Sequence, residues 1–247
     1  MPRPTLSPRD RLIFALDVQD LMEVRRLVTL LLGHVGMFKV GLELFISQGP
    51  AVVRDIRALD QGKTGLFLDL KLHDIPNTVK GAMASASRLG ADLVTVHAGD
   101  GVEILKAAKD AAGSTRVLAV TVLTSVDLSR GEALGLAPAY TRPQALARLR
   151  AKQALEAGVD GVVCSGQEAA ALREVLGPEP LIVTPGIRPA WSVVASEDQS
   201  RIVTPGQAIQ AGADYLVVGR PIRTAPDPAA AADKVVDEIA EAVADRA

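Results

Sequence analysis

The stretch Asp69 to Thr78, DLKLHDIPNT, places two carboxylates and an ammonium within six residues. Asp69 and Lys71 are two apart. On a regular strand both side chains then point to one side, roughly 6–7 Å apart along it. Asp74 falls in the turn that follows. Pro76 fixes that turn, and Asn77 or Thr78 is placed to cap the next helix. An apolar run, Gly65 to Leu68, leads into the acid and the base. A core strand has no use for such a pair at its C-terminal end, so the pattern reads as acid–base chemistry.

Other polar residues close apolar runs in the same way. Asp17 follows Leu12 to Leu16, and Lys39 is embedded in Met37 to Val40. His97, Thr124 with Ser125, Arg188, and Gly219 with Arg220 end later runs. A closed parallel barrel would gather all of them at one mouth. A solvated salt-bridge network is the bland alternative. It is disfavoured because Asp17, Lys39, Asp69 and Lys71 all terminate buried-type strands. Thr184 to Arg188 and Gly219-Arg220 offer backbone N–H groups and two guanidinium forks, which suits an anion such as phosphate. Turn glycines with solvated arginines are the competing reading. His97 reads as packed or hydrogen-bonded, His73 as a helix-entry residue, His34 as surface and Cys164 as a buried small hydrophobe.

The elements that must position these groups follow from periodicity. Asp20 caps a helix carrying Leu21, Val24, Leu27, Val28 and Leu31, which stops at Gly33. Val52, Val53, Ile56 and Leu59 mark a second helix. Strand three spans Leu66 to Lys71, with a helix over 77–89. An internal repeat then appears: Gly90-Ala91-Asp92-Leu93-Val94, Gly158-Val159-Asp160-Gly161-Val162 and Gly212-Ala213-Asp214-Tyr215-Leu216. In each, a Gly ends a helix and a buried strand follows one acidic residue. These give strands four, six and eight. Val117 to Val122 and Leu181 to Val183 supply strands five and seven. Helices are expected over about 101–112, 143–157, 166–176 and 229–245.

The chain has 247 residues, 48% hydrophobic and 23% charged, with only 3% aromatics. That length suits one (β/α)8 barrel, and Val, Leu, Ile and Ala must build its core. The expectation is an α/β fold, a (β/α)8 TIM barrel, with residues 1–247 forming a single catalytic domain. A doubly wound open sheet is the second choice. Net charge is −2, so nucleic acid and anionic membranes are not expected partners. No run is apolar and long enough to span a membrane, and no signal peptide is expected in Met1 to Asp10. One cysteine allows no intrachain disulfide and fits a reducing, cytoplasmic setting. Two segments exceed plain connections: Ser125 to Tyr140, and Gly186 to Val203, which reads as a mobile lid containing Trp191.

At these residues the chain closely resembles the orotidine 5′-phosphate decarboxylase family in its bacterial form. DLKLHDIPNT carries the resemblance most specifically. VTVLTS (Val120 to Ser125), TPGIRP (Thr184 to Pro189) and VGRP (Val218 to Pro221) agree in order and spacing. The resemblance implies a barrel that decarboxylates orotidine 5′-monophosphate with no cofactor and no metal, working as a homodimer with shared sites. Lys71 would be the proton donor in a charged array with Lys39 and Asp69. Asp74 would complete it from the other subunit, together with Ile75 and Thr78. Asp17 would bind the ribose or pyrimidine side, and Thr124 and Ser125 would face the pyrimidine. Arg188, Gln199, Gly219 and Arg220 would hold the phosphate, with Gln199 on the closing loop. The segment His97 to Gly101 departs from the family pattern by carrying Asp100.

Two rivals remain at this level. A relative acting on a sugar phosphate would share the D-x-K-x-x-D spacing but use a divalent metal and an enediolate. Thr124-Ser125 and the long lid favour the nucleotide. A non-catalytic nucleotide-binding scaffold would need a broken charge array, and here all four charges are present.

Overall fold

The computed structural model describes residues 6–126, 128–192 and 203–245. Among these, eight parallel strands close on themselves in sequence order. The first half runs β1 (Leu12–Ala15), α1 (Leu21–Leu31), β2 (Met37–Gly41), α2 (Leu42–Gln48), α3 (Ala51–Asp60), β3 (Gly65–Leu72), α4 (Pro76–Arg88) and β4 (Leu93–His97). The second runs α5 (Val102–Ala111), β5 (Arg116–Val120), α6 (Pro143–Glu156), β6 (Gly161–Val163), α7 (Gly166–Leu176) and β7 (Leu181–Thr184), then α8 (Pro205–Gln210), β8 (Tyr215–Val218), α9 (Arg220–Arg223) and α10 (Pro228–Ala244). Pairing of Ile13 with Val217 closes the barrel and rules out the open sheet.

Strand alternation divides the core in two. Leu12, Phe14, Phe38, Val40, Leu66 and Leu68 face outward into the helical layer. Ile13, Ala15, Met37, Phe67 and Leu93 point into the lumen. The same period of two then carries charge up the lumen wall: Ala15 leads to Asp17, Met37 to Lys39, and Phe67 to Asp69. An apolar floor thus ends in a polar mouth.

The repeated acidic residues pin the opposite end. Gly90, Gly158 and Gly212 take φ of 78°, 69° and 100°, the left-handed helix ends that the repeat implied. Asp92 accepts from the Leu66 N–H at 2.7 Å and from Arg57 at 2.9 Å. Asp160 accepts from Val117 N–H at 2.8 Å and from Lys109 at 2.6 Å. Asp214 accepts from Ile182 N–H at 2.8 Å and from Arg173 at 2.7 Å. Each carboxylate therefore ties a strand start to the helix before that strand and to the turn before the next strand.

Several expectations need correction. Helix α4 starts at Pro76 with Ile75 as its N-cap and no side-chain cap, so neither Asn77 nor Thr78 caps it. Helices α2, α8 and α9 were not expected; they are short pieces inserted after strands, below the length at which periodicity is readable. Strand β3 is not regular. Leu68 pairs with Val94, but Leu72 pairs with Val96, so the strand bulges between them. The segment Ser125 to Tyr140 contains two 3-10 turns, Leu128–Leu134 and Pro138–Tyr140. Of the lid candidate, Ile187 bridges to Val203 and Arg188 N–H donates to Val203 O at 3.0 Å. Residues 193–202 lie outside the described residues.

The clamp at Asp214 has a checkable consequence. Its side chain is fully buried beside Arg173. Asp214→Ala leaves a buried N–H and a guanidinium short of an acceptor, so urea unfolding should show a loss of about 3 kcal/mol. An unchanged midpoint would mean the clamp contributes nothing.

Candidate active site

The charged mouth is an alternating chain. Lys39 Nζ lies 3.3 Å from Asp17 Oδ1 and 3.6 Å from Asp69 Oδ2. Lys71 Nζ lies 2.8 and 2.9 Å from the two Asp69 oxygens. Lys39 is buried, which is tolerable only because a carboxylate sits on each side of it. Asp69 is nearly buried as well. Burial alone would raise its pKa. The charges of Lys39 and Lys71, with hydrogen bonds from Lys71 and Thr95, outweigh that and hold it below the usual carboxylate range.

Regular alternation does not explain how Lys71 meets Asp69. Lys71 has φ of 49°, in the left-handed region that non-glycine residues avoid at a cost of about 1–3 kcal/mol. It sits within the β3 bulge. The kink folds the lysine back so that its ammonium bonds the carboxylate two residues earlier, closing the strand separation of roughly 6–7 Å. Thr95 Oγ1 accepts from the Lys71 N–H at 2.9 Å and donates to Asp69 Oδ1 at 3.0 Å.

Asp69 and Lys71 line a cavity of about 510 Å³, within the range of small-ligand sites. It brings together Asp17, Lys39, Asp69, Lys71, Thr124, Arg188, Gly219 and Arg220. Across the mouth from Lys71 the wall is cationic. Arg188 is buried and Arg220 and Arg223 join it. Gly186 takes φ of 76° in this wall, a conformation for which glycine is suited. Guanidinium groups beside open glycine backbone suit an oxyanion such as phosphate.

Not every expected residue arrives there. Asp74, Ile75 and Thr78 are exposed and lie outside this cavity, with Ile75 at 67% exposure. Asp74 Oδ1 accepts from the Ile75 N–H at 2.6 Å. Ser125 is exposed and does not line the pocket, unlike its neighbour Thr124. Gln199 lies outside the described residues. Sequence reasoning missed Arg223, which follows Arg220 by three on α9; that helical spacing next to a recognised anion residue was the available signal. Cys164 is a buried wall residue whose thiol is pushed up by burial, as a small hydrophobe should be. His97 is hydrogen-bonded and packed: Gly99 N–H donates to its Nδ1 at 3.1 Å and its ring packs on His73. His73 in turn bonds Asp100, whose carboxyl it holds below the usual range. His34 sits at the surface against Asp233, 2.7 Å away. Among the described residues no group of three or more His, Cys, Asp or Glu is arranged to hold a metal ion.

Fold and site together define a (β/α)8-barrel protein with an arginine-rich wall facing a lysine–aspartate array. Comparison with known proteins gives that class a family. Residues 10–235 match the profile of the "Orotidine 5'-phosphate decarboxylase / HUMPS family", and the chain belongs to that family. The orotidine 5′-phosphate decarboxylase of Anaeromyxobacter sp. (strain K) is 50% identical over 228 residues, covering 92% of this chain and 97% of that protein. That of Thermobifida fusca (strain YX) is 48% identical over 226 residues, 91% of this chain and 94% of that one. Among solved structures, orotidine 5′-phosphate decarboxylase from Lactobacillus acidophilus superposes with a TM-score of 0.78 at 37% identity, covering 92% of this chain and 98% of that chain. The enzyme from Pyrococcus horikoshii OT3 gives 0.72 at 26%, with the same coverage.

The depressed Asp69 pKa links the array to stability. A carboxyl whose folded pKa lies below its unfolded value of about 3.9 stabilises the fold above that value and loses the contribution as pH falls through the folded one. The gap in urea midpoint between wild type and Asp69→Asn should therefore be wider at about pH 6 than at about pH 3. A gap independent of pH would mean that Asp69 is not held ionised by its lysines.

Proposed function

We propose that this protein is a carboxy-lyase that decarboxylates orotidine 5′-monophosphate to uridine 5′-monophosphate, the last step of de novo UMP synthesis, with no cofactor. The observation that carries the reading is the Lys71–Asp69 contact at the lumen mouth, facing the arginine wall. The family and its named relatives supply the substrate; the geometry supports the roles read for the residues it brings together. The phosphate would lie against Arg188, Gly219 and Arg220, with Arg223 beside them and Gln199 added from the loop. Asp17 and Lys39 would meet the ribose side, and Thr124 the pyrimidine. The base ring would then lie over Lys71.

The chemistry then follows from charge. Loss of carbon dioxide breaks the C6–carboxyl bond and leaves its electron pair on C6 as an sp2 carbanion, which the ring does not readily delocalise. A fixed ammonium beside C6 lowers the energy of that charge and then donates its proton there. Asp69 keeps the ammonium aimed, and would stand near the departing carboxylate. Binding of the remote phosphate contributes by holding the base in register, which matters because a misplacement of about 1 Å can cost on the order of 100-fold in rate.

The second part of the reading is a homodimer with shared sites. Asp74, Ile75 and Thr78 face away from their own cavity, so they can serve a partner's. Exposed Leu42 and Ile46 on α2 and Ile75 after β3 give the same rim apolar area to bury. A reducing cytoplasmic setting agrees with a lone, buried, unpaired cysteine. Among the described residues no helix is long and apolar enough to cross a membrane.

The ultraviolet change on loss of orotidylate tests the reaction. Wild type should turn over with excess chelator present, and Lys71→Ala should fold normally yet lose essentially all turnover. Chelator-sensitive turnover would favour the metal-dependent sugar-phosphate chemistry instead. A second expectation concerns the shared site. Mixing inactive Lys71→Ala and Asp74→Ala proteins should restore activity in mixed dimers. No recovery, with subunit exchange verified, would remove the dimer from the reading.

A further inference from the structure

We infer that Thr95 is a positioning residue for the reaction proposed above, on which this inference rests: its hydroxyl holds Lys71 in its kinked backbone and Asp69 against the ammonium. The argument begins with backbone hydrogen bonds. Between Leu68 and Leu72, β3 advances four residues while β4 advances two, from Val94 to Val96. The extra residues have no regular ladder partner on β4, yet a buried N–H must find an acceptor. Thr95 lies opposite this gap. Alternation from Leu93 turns it into the lumen, and it is fully buried beneath the charged mouth.

One hydroxyl then performs two tasks. It accepts from the Lys71 N–H at 2.9 Å, which occupies the donor freed by the bulge. It donates to Asp69 Oδ1 at 3.0 Å, the same oxygen that takes the Lys71 ammonium at 2.8 Å. A hydroxyl can do both because it carries one donor and two acceptor sites. The result is a closed loop: Lys71 backbone, Thr95 oxygen, Asp69 carboxylate, Lys71 ammonium. The loop fixes both ends of the lysine relative to the acid. Thr95 does not line the cavity, so it acts through Lys71 and Asp69 and not on the substrate. Valine has the same shape without the hydroxyl. Serine keeps the hydroxyl and loses only a methyl group.

The test compares Thr95→Val with Thr95→Ser, reading kcat and KM for orotidine 5′-monophosphate and the affinity for uridine 5′-monophosphate. In Thr95→Val, kcat should fall by about 10- to 100-fold while product affinity stays within about twofold. Thr95→Ser should recover kcat to within about threefold of wild type. Should the valine protein fail to fold, Thr95→Ala removes the same hydroxyl with less bulk. An undiminished kcat without the hydroxyl would overturn the inference. So would equal losses in the serine and valine proteins, or product affinity falling in step with kcat. Wild-type protein that leaves the substrate untouched would overturn the reaction and this inference together; normal wild-type turnover with an insensitive Thr95→Val would overturn the inference alone.

Discussion

Four charged groups at the end of an apolar tube constrain everything else in this molecule. Taking an ammonium out of water costs several kcal/mol unless a counter-ion replaces the lost hydration. Lys39 is buried between Asp17 and Asp69, and Asp69 between Lys39 and Lys71. Alternation of sign therefore stabilises the fold as well as forming the proposed catalytic arrangement. Removing a member leaves its neighbour as an uncompensated charge in a poorly solvated place. The same contacts hold the Lys71 ammonium against Asp69, so stability and the proposed chemistry draw on one set of contacts.

The barrel separates the two requirements in space. Its lumen is filled by Ile13, Met37, Phe67, Leu93 and their neighbours, and the next lumen-facing positions on β2 and β3 become Lys39 and Asp69. The other end carries the Asp92, Asp160 and Asp214 clamps, each locking a helix, a strand and the following turn. Rigidity at that end lets the mouth carry a left-handed lysine and a bulged strand. Conserving strain requires that something over-determine it, and the Thr95 hydroxyl, the Asp69 carboxylate and the flanking ladder do so together.

Much of this was legible in the sequence because it depends on local rules. Gly, one residue, Asp, then an apolar run announces a left-handed helix end and a buried strand, and it did so three times. Asp20 as a cap and Gly33 as a stop are equally local. The charged residues were visible as breaks in apolar runs. What was not legible depends on non-local registry. The β3 bulge exists only relative to β4, so strict alternation gave the correct pairing of Asp69 with Lys71 for an incomplete reason. Thr95 looks like any β-branched strand residue until its partner strand is in place. Ser125, adjacent to Thr124, turns outward at a loop whose path no periodicity specifies. The helix after β3 begins at Pro76 without a side-chain cap because Ile75, not a polar residue, occupies the cap position.

The array is also asymmetric, and the asymmetry bears on the proposed dimer. Lys39 has a carboxylate on either side, whereas Lys71 has Asp69 alone among the described residues and is 38% exposed. Its open side faces the cavity. Within one protomer the two acids and two ammonium groups sum to zero. In the proposed reaction a substrate would bring a carboxylate to the open side of Lys71; carbon dioxide departs neutral, and the negative charge left on C6 is cancelled by the proton that Lys71 gives up. A further acid from a partner would keep Lys71 flanked after departure, as Lys39 already is. Asp74 follows Lys71 by three residues, and its side chain is engaged with the Ile75 N–H outside the cavity. In the proposed dimer a second copy of the chain would supply that charge, and the exposed rim around Ile75 and the open flank of Lys71 would then be one feature.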